Sequence, residues 1–314
     1  MNRNSMLRLA GATGLAGFIP AVPASAADAI RIVSFPIDTG LEVLYGQSAG
    51  ITDQAGLTIQ SQMMNFGAAS QSALLGGTVD VVNSNVASLA IAREKGFPLV
   101  LLASGGLYSA KEPTSVLMVP KDSRAKTARD FNGKVVAVNG LNSLSQFAAE
   151  AWVDKNGGDS KSVHWIDMPF SEMVPAMASH RIDAALVAEP QVTMAKDSAN
   201  ILAKAYDAIA PRFVISVWVT TAAWASANPD LARRFAAMVY RTASWANSHR
   251  AQTGEVLVKN TRLDPSLVRT MNRITFAESA DPALLKPQID ACLKYGAIAK
   301  PIAPEELFAA EVRR

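Results

Sequence analysis

Hydrophobic and polar positions along the chain follow two periods that trade places every ten to fifteen residues. Ile30-Arg31-Ile32-Val33-Ser34-Phe35 is short and β-branched, which predicts a strand, and Pro36 stops it. Residues 41–53 have apolar positions at helical spacing, and Gly56 closes that unit as a C′ residue. Residues 57–63 predict a second strand, 66–70 the opening of a short helix, and 79–82 a third strand. A helix over about 86–95 follows. The apolar run 99–103 then lacks alternation, as strands buried in a parallel sheet do.

The pattern restarts near Ser115. Strands are expected at 115–119, 134–138, 163–166, 184–187 and 201–203, with helices at 143–156, 171–179 and 190–196 between them. Residues 213–221 are again β-rich. Beyond Ala222 the chain turns helical, and Asn228-Pro229 supplies an N-cap and first helical residue for one long helix reaching about Lys259. Shorter helices are expected at 265–271 and 282–293.

Strands and helices alternating over short connections predict parallel βαβ units. The expected fold class is α/β: two lobes of parallel-rich sheet flanked by helices, joined by a two-strand hinge, with a helical C-terminal region. Lobe one takes residues 27–112 plus 215–314, and lobe two takes 113–214. The extended crossovers at 112–116 and 213–216 form the hinge, since no Gly/Ser tether separates the halves.

Length agrees with two lobes, because the 288 residues left of 314 after a 26-residue signal reach the roughly 250–300 at which a single hydrophobic core stops growing. The first residues read as an address. Arg3 and Arg8 precede an apolar run over 9–22, and Ala24-Ser25-Ala26 supplies the small-x-small cleavage pattern. Residues 1–26 are expected to be a signal peptide cut after Ala26, and the mature chain a soluble periplasmic monomer without membrane insertion. The apolar run is shorter than the roughly 20 residues that a spanning helix needs.

Charge and cysteine content narrow the chemistry further. Thirty Lys and Arg face 27 Asp and Glu, two of the basic residues leave with the signal, and the near-neutral remainder gives no nucleic-acid footprint. With one cysteine there is no internal disulfide, and Cys292 within Ile289-Asp290-Ala291-Cys292-Leu293 reads as a small buried hydrophobe. No nucleotide-binding glycine motif, nucleophile elbow or zinc signature is present, and His164, His180 and His249 are scattered. Neither enzyme activity, nor a cofactor, nor a metal is expected.

Ligands of open α/β sheets bind beyond the carboxyl ends of the strands. Those ends carry Phe35 and Asp38, then Asn65-Phe66-Gly67, Ser84-Asn85, Tyr108, Asn139 to Ser143 with Leu141 and Asn142 between them, and Glu189. Several open helices, whose free N–H groups donate to anions or other acceptors without a cation. The plain alternatives are that Asn85, Asn142 or Ser143 only caps a helix, and that Phe35 and Phe66 are core aromatics. Glu189 either meets a ligand or caps the helix begun at Pro190.

Several stretches resemble the substrate-binding proteins of ABC importers with the type II periplasmic binding fold, in the nitrate, sulfonate, taurine and thiamine-precursor class. They are Leu75-Gly76-Gly77-Thr78-Val79-Asp80-Val81, Gly96-Phe97-Pro98-Leu99-Val100, Asp130-Phe131-Asn132-Gly133-Lys134-Val135-Val136, and Arg181-Ile182-Asp183-Ala184-Ala185 with Glu189-Pro190. The resemblance implies that the strand-end loops line a cleft, and that ABC permease and ATPase subunits are the partners. No Lys or Arg occupies those loops, which favours a small organic solute over nitrate: a sulfonate, an amino-sulfonate or -carboxylate, or a nitrogen heterocycle. The alternatives are a ligand-sensing subunit for a membrane receptor and an enzyme like the pyrimidine-precursor synthases.

Overall fold

The computed structural model describes residues 29–64 and 67–313. The signal segment and the candidates Asn65 and Phe66 lie outside the described residues. Lobe one opens with β1 (Ala29–Ser34), α1 (Glu42–Ser48), α2 (Ile51–Gln54), β2 (Thr58–Met63) and α3 (Gly67–Leu75). It continues through β3 (Val81–Ser84), α4 (Val86–Glu94) and β4 (Leu99–Ser104). After β5 (Gly106–Ser109) the chain crosses to β6 (Ser115–Pro120), β7 (Val135–Val138), α5 (Leu144–Lys155), β8 (His164–Asp167) and α6 (Phe170–Ala178). Then come β9 (Ala184–Ala188), α7 (Gln191–Met194), β10 (Ala199–Ala203) and β11 (Arg212–Val214). The return brings β12 (Val217–Thr221), α8 (Ala222–Ala227), α9 (Pro229–Ser248), α10 (Arg250–Thr261), α11 (Pro265–Thr270), β13 (Thr275–Phe276) and α12 (Lys286–Lys294).

Two five-stranded sheets carry the lobes, in the orders β2-β1-β3-β12-β4 and β10-β6-β9-β7-β8. In the first, β1 runs parallel to β2 and β3, while β12 is antiparallel to both β3 and β4. In the second, β7 runs parallel to β8 and β9, while β6 is antiparallel to both β9 and β10. Each sheet thus has four strands running one way around a single inverted strand. The inverted strands, β6 and β12, are the first after each crossing.

The apolar run 99–103 forms β4 as expected, but its ladder differs. Its strand partner in the sheet is β12, antiparallel, because the returning strand inserts between β3 and β4, while on its other side only a single parallel bridge joins Leu101 to Phe308 among the described residues. Burial on both faces, and not the ladder type, is what the apolar run encodes. Ile30, Ile32, Val81 and Trp218 face α9, while Val33, Val82 and Leu101 face α4 and α12. Lobe two divides likewise: Leu117, Val136 and Val138 pack with α5, and Met118, Ala137 and Val187 with α6. Fully burying each such side chain is worth about 1.5–3 kcal/mol.

Several segments depart from the pattern reading: the expected helix 41–53 divides into α1 and α2, and the β-rich run 213–221 divides into β11 and β12 of different sheets. The long helix expected to reach Lys259 breaks at His249, whose backbone leaves the helical region (φ −119°, ψ 51°). Its imidazole bonds the Trp245 carbonyl at 2.8 Å and stacks on the Trp245 ring, so side-chain contacts set a break that no Gly or Pro marks. The Gly105-Gly106 turn opens β5, an unforeseen strand that pairs antiparallel with β11 and β13 in a three-stranded sheet. A Cβ on Gly105 would fall 2.7 Å from Ser216 Oγ, so the close approach of the two crossing segments requires glycine there.

Candidate functional site

The first loop of lobe one folds back tightly after β1. A Cβ on Gly40 would collide with the Phe35 carbonyl, so only glycine lets the 3-10 turn Asp38–Leu41 close over the strand end. That turn directs Asp38 inward, where the carboxylate is buried and heavily bonded. Arg273 donates to it through Nε at 2.6 Å and Nη2 at 3.0 Å, the Tyr45 hydroxyl at 2.5 Å and the Ile274 N–H at 3.0 Å. Burial opposes the charge on Arg273, but the Asp38 carboxylate overrides it and raises the guanidinium pKa. Burial pushes the Tyr45 phenol well up, and the Asp38 charge adds to that shift.

Strand β3 delivers Asn83 and Ser84 to the same end of its sheet, and Asn85 caps α4 by accepting from the Ser88 N–H at 2.8 Å. Across the gap, β7 ends at Asn139. Gly140 and Asn142 there take left-handed backbone (φ 97° and 51°) to turn the chain into α5. The N-cap Ser143 spends its hydroxyl on the Gly140 carbonyl (2.7 Å) and makes no cap bond. The first-turn N–H groups of α5 are therefore left for another acceptor.

Glu189 follows β9, with a cis bond to Pro190. Its carboxylate accepts from the Thr193 N–H at 3.0 Å and Thr193 hydroxyl at 2.9 Å, so it bonds to α7 from the residue before Pro190. The Asn272 N–H of lobe one also approaches it at 3.4 Å. Burial raises the Glu189 pKa above the usual carboxylate range against the pull of the Thr193 bonds.

These strand ends enclose a cavity of about 120 Å³ between the lobes. Phe35, Asp38, Ser84, Asn85, Asn139 and Glu189, all foreseen, line it. A wider outer pocket of about 390 Å³ shares Phe35, Ser84, Asn85 and Asn139, and adds Leu141, Asn142 and Ser143. Gly67 begins α3, the helix whose Ser70 and Gln71 reach that outer pocket.

Tyr108 is the exception. It lies in the core, fully buried, with its hydroxyl donating to Asp207 at 2.6 Å and its ring against Tyr206 and Phe213. Because Gly106–Ser109 is a strand in the central three-stranded sheet, the Tyr108 side chain packs into lobe two instead of standing at a strand end.

Sequence reasoning missed a second set of lining residues. Ser115 and Ser145 reach the cavity, and their hydroxyls meet the buried Tyr206 phenol. Ser216 and Asn272 come from the return crossover and the C-terminal region. Strand direction could have found Ser115 and Ser216, since Ser115 begins the inverted β6 and Ser216 immediately precedes the inverted β12, so both sit at the cleft end. Nothing in local pattern announces Arg273, which stands 235 residues from Asp38. Among the described residues, no Lys or Arg side chain lines the inner cavity. Among the described residues, no group of three or more His, Cys, Asp or Glu could hold a metal ion, and no helix is long and apolar enough to cross a membrane.

Comparison with known proteins places this geometry. A family model described as NMT1/THI5 like matches residues 41–253. No curated protein matches the chain. The ligand-binding component of an ABC-type import system from Staphylococcus aureus, solved with zinc bound, superposes with a TM-score of 0.78 at 16% identity, over 91% of this chain and 98% of its own. The periplasmic aliphatic sulphonate-binding protein SsuA from Escherichia coli gives 0.71 at 16% identity, over 91% and 99%. The desulfurization enzyme DSZB gives 0.67 at 14% identity, over 91% and 97%.

Proposed function

The chain belongs to the NMT1/THI5-like family, and from that premise we propose that it is an exported solute-binding protein that closes on a small organic solute and delivers it to an ABC importer. The observation that carries this reading is the inner cavity itself. Carboxyl strand ends of two separate sheets converge on it, as expected of a ligand site in open α/β folds. The hinge consists of the crossings around β5 and β11, and the lobes divide near residues 113 and 214. The S. aureus import component and the sulphonate-binding SsuA, which share the fold, support the transport assignment. The signal-like segment 1–26, cut after Ala26, supports a periplasmic location, and the protein acts as a monomer beside its permease and ATPase.

The cavity's electrostatics narrow the solute. Two carboxylates line it, and Arg273 already neutralises Asp38. Glu189 is held by neutral donors only, so its charge is available to an ammonium or N–H group of the solute. Beyond the neighbouring strand β7 of the same sheet, the first turn of α5 offers N–H groups to an anionic or acceptor end. An amino-sulfonate or amino-carboxylate fits both ends, and an amine-bearing nitrogen heterocycle fits with Phe35 beside it.

A catalytic reading draws on DSZB, an enzyme with this fold. The described lining of the inner cavity has no Cys, His or Lys, and its two carboxylates are engaged by Arg273 and by Thr193, which supports binding over catalysis.

The test is mass spectrometry of solute released from purified protein, followed by calorimetry with taurine, ethanesulfonate and an aminopyrimidine. An amine-bearing probe should bind, and Glu189→Gln should weaken it by roughly tenfold or more, the worth of a hydrogen bond to a charged group. Binding of ethanesulfonate alone, or unchanged affinity in Glu189→Gln, would refute the solute class. Turnover of a sulfinate or sulfonate would refute the binding role.

A further inference from the structure

The helix α12 makes contacts that a lobe-one helix has no need of for its own packing. It lies against α4 within lobe one, where Ile289 and Cys292 join Leu89 and Ala92. Phe147, which α5 of lobe two supplies, is buried in that same apolar cluster. The Tyr295 ring, one residue past α12, stacks on Phe147 with centroids 6.1 Å apart and planes 6° from parallel. The Tyr295 hydroxyl then donates to Asp154 Oδ2 at 3.0 Å, one helical turn or more further along α5.

At its other end α12 reaches the hinge. The buried Gln288 amide accepts from the Ala87 N–H at 3.0 Å and donates to the Val214 carbonyl. Ala87 belongs to the first turn of α4, directly after the cavity-lining Asn85, and Val214 belongs to β11 in the return crossover. One helix is therefore bonded to both cleft-facing helices and to a hinge strand. Tyr295, Phe147, Asp154 and Gln288 are absent from the lining of the inner cavity and the outer pocket.

We propose that α12 is an interlobe clasp that sets the balance of open and closed forms without touching the solute. Drawing α5 away from lobe one would part the Tyr295 and Phe147 rings, uncover apolar surface of the shared cluster and release Asp154. The solute-free protein is thereby biased toward closure. Apparent affinity for any solute scales with the population of the binding-competent form, so the clasp tunes affinity from outside the site. This inference rests on hinge motion between two lobes and on no particular solute.

The experiment needs no solute. Spin labels on Asp53→Cys and Lys161→Cys, exposed positions on the two lobes, report interlobe distance by electron–electron resonance, and the native Cys292 is buried and stays unlabelled. Tyr295→Ala should raise the open-to-closed ratio by roughly two- to tenfold, the equivalent of a lost aromatic pair. Tyr295→Phe keeps the ring, loses only the Asp154 bond, and should fall between Tyr295→Ala and the parent. A parental distance distribution in a Tyr295→Ala protein that still melts cooperatively would overturn the clasp, since the contact would then be a pivot kept in both forms. Should Tyr295→Ala fail to fold, Tyr295→Phe carries the test, and a parental distribution there has the same meaning. Failure to bind taurine or an aminopyrimidine would strike the proposed solute class and leave this measurement unaffected.

Discussion

Replacing Arg273 by Met removes the guanidinium that neutralises Asp38 and keeps most of the side-chain volume. The pair is almost dry, with side chains only 11% and 7% exposed. Breaking such a pair from one side costs about 3–5 kcal/mol, because the surviving charge stays buried. Asp38 keeps the Tyr45 hydroxyl and the Ile274 N–H, so Arg273→Met should fall near the lower end, about 3 kcal/mol. Asp38→Asn leaves the guanidinium with neutral acceptors only, the Asn carbonyl, the Thr253 hydroxyl at 3.2 Å, the Tyr45 hydroxyl at 3.5 Å and the Arg250 carbonyl at 3.5 Å, and should cost more. The double variant removes both charges of the pair, so it should be more stable than the two single losses added together. Urea unfolding followed by tryptophan fluorescence measures all three. A loss below about 1 kcal/mol for Arg273→Met, the value of an exposed pair, would refute the reasoning, as would strict additivity in the double variant.

Three further outcomes are expected. Burial holds the Glu42 pKa well above the carboxylate range against the bond from Trp218, so its folded-state stabilisation is complete below the unfolded pKa and is lost as pH rises through the raised value. Unfolding curves should therefore show Glu42→Gln gaining on the parent with rising pH, by up to about 1.4 kcal/mol per unit; a pH-independent difference would exclude a buried, titrating Glu42. Burial pushes the Cys292 thiol up to about 12, so iodoacetamide should modify it only in urea, and rapid labelling of native protein, read by mass, would contradict its place in the core. Protonation of Glu189, whose pKa burial raises, should weaken amine binding as pH falls, with calorimetry showing the slope abolished in Glu189→Gln.

Strand and helix positions were legible wherever local burial decides them. β1, β4 and β7 sit within a residue or two of their apolar runs because those segments are buried whatever their neighbours do. What period cannot encode is which strand lies beside which. The insertion of β12 between β3 and β4 is a choice made across more than a hundred residues, so the ladder of β4 was read as parallel. The same limit applies to Tyr108. By local pattern Tyr108 stands at the end of a strand, and only the pairing of Leu107–Ser109 with β11 turns its ring inward. The break at His249 depends on one imidazole finding Trp245, a contact that no propensity scale contains.

The site was legible to the extent that strand direction alone determines it. Four strands of each sheet deliver their carboxyl ends to one edge, and the inverted β6 and β12 begin at that edge because the chain must cross there. Phe35, Ser84, Asn139 and Glu189 follow from the first fact, and Ser115 and Ser216 from the second. The charge of the site needed tertiary information. Read alone, Asp38 and Glu189 are equivalent carboxylates in a cation-free set of loops. Folded, Asp38 is consumed by Arg273 and becomes part of the floor, while Glu189 is held by uncharged donors and keeps its negative charge to offer. A solute that carries an amine should therefore discriminate between them, responding far more to the loss of Glu189 than its shared presence with Asp38 in one cavity would suggest.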